Sequence, residues 1–491
     1  MRKYFLAATV CAAMISTIPL AMAKTLNFAH DLSFGAESNM DPIDGNRLYE
    51  AIILTYNRLV RPSYKTEEPE ASLATSWSSN DKADVWTFKL RDGVTFHDGS
   101  AFGPEDVVYT FKRIIDPNTK SAVKAVLDII KDVRAGEDNS VIFELNSSHA
   151  DFPLLLIDYR ARIIPEGSGD TIADTGIGTG PFKLKTLDAE GISEFVRFDD
   201  YWDGKPQLDG INVTAIADAG ARQQALAAGQ IDLLLGATEE QQNALGDGFN
   251  YQHIPSGAWR GIVFNTQSEE FKDWRVRKAL RILADREQII KRALGENGGI
   301  VSCDDPVAPT DPYLAKIDCP QDIEGAKALL AEAGHKDGLD IEVFTAPLDP
   351  TWAPLLEVYQ AQAAKAGVKV KITSVPSDGF WNDVWMKKSA TTTYWGGRPA
   401  DQILNEAFRS GAKWNETYWN VPEFDAQLDV ARSELDPEKR KEDYRELQVE
   451  LFEKGGAFIP FHLNTLRVVA KDVTIPAVPS AALRWSDVTK N

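Results

Sequence analysis

Tyr394-Trp395-Gly396-Gly397-Arg398-Pro399 is the stretch of this chain whose residue types are best suited to holding a small molecule. Two glycines let the backbone approach a ligand closely, and the Trp395 indole offers a stacking face with one N–H donor. The Arg398 guanidinium can take a carboxylate or phosphate bidentately. Around it, Trp352, Trp381, Trp385, Trp395, Trp414 and Trp419 account for six of the 12 tryptophans in the chain. Large aromatics also fill cores, so for Trp352 and Trp419 packing and recognition stand as equal readings. For Arg398 the competing reading is a salt bridge to Asp401 or another nearby acid.

Signatures of catalysis are missing. The sequence has no HExxH, no GxSxG, no Walker loop and no paired CxxC. Ser121-Ala122-Val123-Lys124 matches SxxK, but two free positions make that a chance event in 491 residues. Gly176, Gly178 and Gly180 are spaced GxGxG with Pro181 behind them, which suits a tight turn into a strand better than a phosphate cradle. His97, followed by Asp98-Gly99, reads as a turn residue rather than a general base. Cys303 and Cys319 have no His or further Cys at ligand spacing, so no metal and no cofactor is expected.

The first residues read as an address. Arg2 and Lys3 precede a largely apolar run to Leu20, and Ala21-Met22-Ala23 supplies the small residues that signal peptidase requires. The mature chain then starts at Lys24. An uncleaved anchor would need a longer unbroken apolar run than one carrying Thr9, Ser16, Thr17 and Pro19. The leader places the protein in the periplasm. In that oxidising compartment Cys303 and Cys319 are expected to pair, two reduced thiols being the alternative. A formal charge of −20 repels a phosphate backbone and argues against nucleic acid as a partner.

The elements that must position these residues alternate between strand and helix. Trp86, Phe88 and Leu90 have the period of a half-buried strand, as do Val141, Phe143 and Leu145. Pro104 opens a helix with Val108, Phe111 and Ile115 at helical spacing. Strands are expected across Phe182 to Phe198 and at Ile211 to Ile216. Asp322 reads as the N-cap of a helix ending at Gly334, and Asp436-Pro437 opens another with Tyr444, Leu447, Leu451 and Phe452 inside. Strands at Ile341 to Phe344 and Val368 to Ile372 alternate with helices as βαβ units.

WTFKLRDGVTFHDGSAFGPEDVVYTFKRIIDP, starting at Trp86, resembles the signature region of family 5 extracellular solute-binding proteins, the peptide- and nickel-binding components of ABC importers. GTGPFKL from Gly178, YWDGKPQLD from Tyr201, FNT at Phe264 with WRVRKALRILADREQII from Trp274, AKALLAEAGH from Ala326 and the Asp425 to Phe452 region agree with that pattern in order. The resemblance implies an α/β, two-lobed periplasmic-binding-protein clamshell of type II, in the large peptide-binder class. Lobe I then takes residues 24–266, with an accessory subdomain at about 61–176. Lobe II takes 267–469, and 470–491 return to lobe I. The crossings are expected near Asn265 to Glu270 and Leu466 to Lys471. A monomer handing its solute to membrane permease subunits is implied, rather than an enzyme. A sensor feeding a receptor, or a secreted enzyme on the same scaffold, would share the pocket.

The resemblance also marks cleft residues. The loop at Trp395 is similar to one that lines the family's cleft, and peptide binders carry an Asp three residues after that Trp to hold the peptide's α-ammonium. Here Arg398 stands at that position with the opposite charge. The expected ligand is therefore a small peptide-like or carboxylate-bearing solute, with opines, other modified amino acids and organic acids left open. Family location alone adds Ser33 and Asn39 in the loop after the first strand, Trp259 and Arg260 before the crossing, and Trp414-Asn415.

Overall fold

The structure, a computed structural model, describes residues 24–30, 39–43, 53–64, 68–188, 191–478 and 483–491. The expected leader at 1–23 and the candidate Ser33 lie outside the described residues. Trp86, Phe88 and Leu90 alternate inward along the Val85–Leu90 strand, and Val141, Phe143 and Leu145 do so along Ser140–Leu145. With Ala74–Ser79 and Ile130–Ala135 these form a four-stranded antiparallel sheet. The Pro104–Ile115 helix covers it, and the Gly103 N–H donates to Asp106 Oδ2 at 2.8 Å. Its inner face is Val107, Phe111 and Ile114, not Val108, Phe111 and Ile115. Phe111 sets the phase by meeting Phe143 edge-on at 4.9 Å, which turns the residues four before and three after it inward.

The larger sheet has eleven strands. Its order is Val368–Ser374, Leu339–Thr345, Ala390–Trp395, Phe249–Phe264, Ala457–Ala470, Leu233–Ala237, Thr25–His30, Gly210–Ala215, Ile192–Arg197 and Phe182–Thr186, with Gly299–Val301 branching from Ala457–Ala470. Leu339–Thr345 and Val368–Ser374 run parallel around the Trp352–Lys365 helix, the expected βαβ unit. Each end of the sheet has its own core. Phe264, Leu280, Leu355, Tyr359 and Phe458 pack at one end, and Leu26, Phe28, Leu54, Tyr56 and Ile211 at the other. The result is two lobes on one interrupted sheet.

Two long strands carry the sheet from lobe to lobe. Phe249–Phe264 and Ala457–Ala470 pair from Phe249↔Ala470 to Pro255↔Asn464, and again from Trp259↔His462 to Val263↔Ala457. Between these runs the register slips, leaving Ser256, Gly257 and Ala258 opposite Leu463. A ladder interrupted there bends more readily than one with every rung in place. Asn265 follows the end of the first of these strands, so the register break lies earlier in the chain than the expected crossing.

The helix at Ile323–Glu332 is capped by Asp322, which accepts from the Gly325 N–H at 2.7 Å, and Gly334 follows it at φ +96°. Pro437–Lys454 is capped by Asp436 and buries Tyr444, Leu447 and Leu451, while Phe452 is half-exposed. Cys303 and Cys319 are joined in a disulfide with their Cα atoms 5.6 Å apart. The C-terminal segment lies against lobe I: Trp485 stacks on Phe28 at 5.2 Å, and Lys490 Nζ meets Asp232 at 2.7 Å. Among the described residues no helix is long and apolar enough to cross a membrane.

Candidate functional site

Beside the register break, a cavity of about 460 Å³ opens between the lobes. Ser256, Gly257 and Ala258 of the hinge strand line it, with Leu154, Leu155 and Ile157 from one side and Thr310, Asp311 and Gln402 from the other. Its wall carries five arginines, Arg58, Arg61, Arg162, Arg398 and Arg484, against two aspartates, Asp158 and Asp311. Three of these arginines are paired with acids that do not themselves line the cavity: Arg61 with Glu70 and Asp203, Arg484 with Glu70, and Arg398 with Glu406.

Gly397 and Arg398 both line this cavity. The guanidinium of Arg398 lies 4.9 Å from the Trp395 ring centroid, its Nε meets Glu406 at 2.8 Å, and its Nη1 donates to the Gly396 carbonyl at 3.1 Å. Its Nη2 has no hydrogen-bond partner among the described residues. The acid beside it is thus Glu406 and not Asp401, which pairs with Arg432 at 2.8 Å. Gly396 leads into this loop without lining the cavity.

Trp395 is set behind the wall, 7 % exposed, in the core of lobe II. Its indole N–H is spent on Glu416 Oε1 at 2.5 Å, and Trp385 donates to Glu416 Oε2, also at 2.5 Å. Burial pushes the Glu416 carboxyl up in pKa, while the donors Trp395, Trp385 and Thr393 pull it back. Trp259 pairs with Trp395 across the strands, their rings stacked at 6.2 Å. Trp414 abuts Trp395 edge-on at 6.0 Å and is exposed away from the cavity wall. Asn415 is buried, with its amide donating to the carbonyls of Arg409 and Trp419. Arg260 donates to Asp349 at 2.5 Å. Asn39 accepts from the Asp41 N–H at 2.8 Å. None of these four, nor Trp259, lines the cavity.

The glycine-rich turn earns its glycines by close approach. A Cβ on Gly178 would lie 2.1 Å from the Thr55 carbonyl oxygen, and one on Gly180 2.5 Å from the Thr55 carbonyl carbon. His97 staples that turn: its Nδ1 accepts from Gly178 N–H at 3.3 Å and its Nε2 faces the Gly180 carbonyl at 3.0 Å. Burial lowers its pKa to about 4. Lys124 pairs with Asp128 rather than Ser121. Cavity residues that the sequence did not flag, Arg58, Arg61, Arg162 and Arg484, come from distant segments and share no local motif. Pro255-Ser256-Gly257, a breaker inside an apolar strand, was a readable signal.

The sequence model of bacterial extracellular solute-binding proteins, family 5 Middle, matches residues 68–415. Heme-binding protein A of Haemophilus influenzae is 29% identical over 450 residues, covering 83% of this chain and 81% of that protein. The dipeptide-binding protein of Escherichia coli is 26% identical over 501 residues, covering 92% and 91%. The periplasmic murein tripeptide-binding protein MppA, in its unliganded open form, superposes with a TM-score of 0.86 at 21% identity, over 96% of this chain and 98% of its own. The α/β two-lobed architecture is the type II periplasmic-binding-protein fold. The match over most of its length makes this chain a member of the family 5 bacterial extracellular solute-binding proteins.

Proposed function

We propose that this protein is the periplasmic, monomeric receptor of an ABC importer, that it binds an anionic peptide-like solute between its lobes, and that Arg398 holds a carboxylate of that solute. It releases the solute unchanged to its permease. The lobes close about Ser256-Gly257-Ala258 and Leu463, and affinity reflects both wall contacts and closure. The observation that carries this reading is the Arg398 fork on the cavity wall, with Nη2 uncommitted and four further arginines around the same space. The relative named for dipeptide supports a peptide-like solute. Modified amino acids of the opine type satisfy the same wall, because they too present carboxylates.

Native mass spectrometry of freshly purified protein, followed by denaturation and identification of what is released, tests the reading. A carboxylate-bearing solute is expected, and its rebinding should weaken about 100-fold in Arg398→Gln, on the order of 3 kcal/mol for a charge-assisted hydrogen bond. Release of a solute without an anionic group, or unimpaired rebinding by the variant, rejects the assignment of Arg398. A chemically altered product from supplied solute rejects the receptor reading itself.

A further inference from the structure

The two sides of the cavity differ in chemistry. Lobe II faces it with Thr310, Asp311, Gln402 and Arg398. The unit built on the four-stranded sheet faces it with Val126 from the short Lys124–Leu127 helix, Leu154 and Leu155 from the Phe152–Leu155 helix, and Ile157 just beyond. Asp158, the acid that follows Ile157 on the wall, is held by Arg160, whose Nε donates to Oδ1 at 2.8 Å and whose Nη2 donates to Oδ2 at 2.7 Å.

These four apolar side chains do not serve the fold equally. Leu155 is buried in the core under the four-stranded sheet, and Val126 and Ile157 pack half-buried against that core. Leu154 is half-buried and packs into no core formed by the described residues. Its backbone is nonetheless fixed: the Leu154 N–H donates to the Asp151 carbonyl at 2.8 Å, and the Leu154 carbonyl accepts from the Ile157 N–H at 3.2 Å. An aliphatic side chain held on a cavity wall and left out of the core keeps apolar area against water until something apolar covers it. Each methylene buried there is worth about a fourfold gain in affinity.

We propose that Val126, Leu154, Leu155 and Ile157 form a subsite for an aliphatic side chain of the solute, and that Leu154 determines specificity there. The inference rests on the reading that this cavity takes a peptide-like solute whose carboxylate meets Arg398. It adds that the solute is amphipathic, with an apolar side chain besides its anionic group. Polar groups on one side of a pocket fix orientation, and an apolar wall opposite selects what lies against it. A polar side chain placed on that wall would lose its water without gaining a hydrogen bond from the four aliphatic residues.

Isothermal titration calorimetry of protein dialysed free of co-purified solute, with two pairs of dipeptides, tests the subsite: Gly-Leu with Gly-Asn, and Leu-Gly with Asn-Gly. Within a pair the carboxylate is the same and an aliphatic side chain is exchanged for a polar one of similar shape. In at least one pair the leucine peptide is expected to bind at least about tenfold tighter. Leu154→Asn should reduce that ratio to less than about threefold and leave the melting temperature unchanged, as befits a side chain outside the core. Arg398→Gln should weaken all four peptides and keep the ratio. Equal binding of leucine and asparagine peptides in both pairs, or a ratio that survives in Leu154→Asn, overturns the subsite, whereas the Arg398 reading falls only if Arg398→Gln leaves the series unweakened. Failure of the native protein to bind any of the four overturns the proposal together with the peptide-like reading. Should Leu154→Asn not fold, Leu154→Ala decides by the same ratio.

Discussion

Gly257 and Gly397 touch backbone to backbone at the edge of the cavity: a Cβ on Gly257 would lie 2.7 Å from the Gly397 Cα, and one on Gly397 2.9 Å from the Gly257 Cα. One belongs to the hinge strand and the other to the loop that presents Arg398. Bending at the register break therefore bears directly on the loop that carries Arg398. Neither contact is with a flexible side chain that could step aside.

Gly397→Ala is accordingly expected to cost about 1–3 kcal/mol through overpacking. Because the main chain must move, binding of the released solute should fall along with the melting temperature. Differential scanning fluorimetry with and without solute measures both. A variant with wild-type melting and affinity would mean that the loop can slide past the hinge.

Trp395→Phe separates wall from core. The phenyl ring keeps the stack on Trp259 but leaves the buried Glu416 carboxylate without one of its two indole donors, a loss of about 1–3 kcal/mol. Urea denaturation should show that loss, and affinity per folded molecule should change by less than about threefold. A large affinity loss with unchanged stability would return Trp395 to the ligand's surface.

The disulfide frames the loop that supplies Ala308, Thr310, Asp311 and Pro312 to the cavity and Tyr313 to lobe II. Replacing Cys303 and Cys319 together by Ser should lower stability by about 3 kcal/mol. Solute affinity should weaken as well, since one wall of the cavity loses its frame. Unchanged affinity by isothermal titration calorimetry would confine the bridge to a role in stability.

One buried and one half-buried histidine, His462 and His97, give the protein an acid limit. His462 faces the Asp305 carbonyl at 3.0 Å, and burial lowers its pKa to about 4, as burial does for His97. The unfolded chain takes up these protons near 6.5, so stability is full above that value and is lost as pH falls toward 4. Each histidine should remove about 2 kcal/mol between pH 7 and pH 5. In His462→Gln the pH slope of the urea midpoint should flatten by that amount, and an identical slope would show that His462 does not titrate in this range.

Period-2 spacing made Val85–Leu90 and the Leu339–Thr345 to Val368–Ser374 unit legible, because alternation dictates which face is buried; helical spacing located Pro104–Ile115 but not its inner face, which the contact of Phe111 with Phe143 decides. Gly397 and Arg398 stand on the cavity wall, in a loop whose two glycines and cation are a local pattern. The partner of the Trp395 N–H was not legible, because it is Glu416, 21 residues away, and no spacing rule joins them. The Asn415 amide likewise serves its own loop, through carbonyls that no motif marks. The lobe I arginines gain meaning only from the tertiary fold, which gathers Arg58, Arg162 and Arg484 around one space.

The place of Ala457–Ala470 in the sheet has a bearing on biogenesis. It is among the last strands of the chain, yet it sits between Phe249–Phe264 and Leu233–Ala237 and is the link through which the lobe I strands join the rest. A polypeptide threaded from its N-terminus cannot complete either half of that ladder until the end of the chain has emerged. Pairings across so many residues are also intrinsically slow to form. The topology thus keeps the large sheet incomplete until the last strands of the chain are available, and joins the two lobes in a single late step.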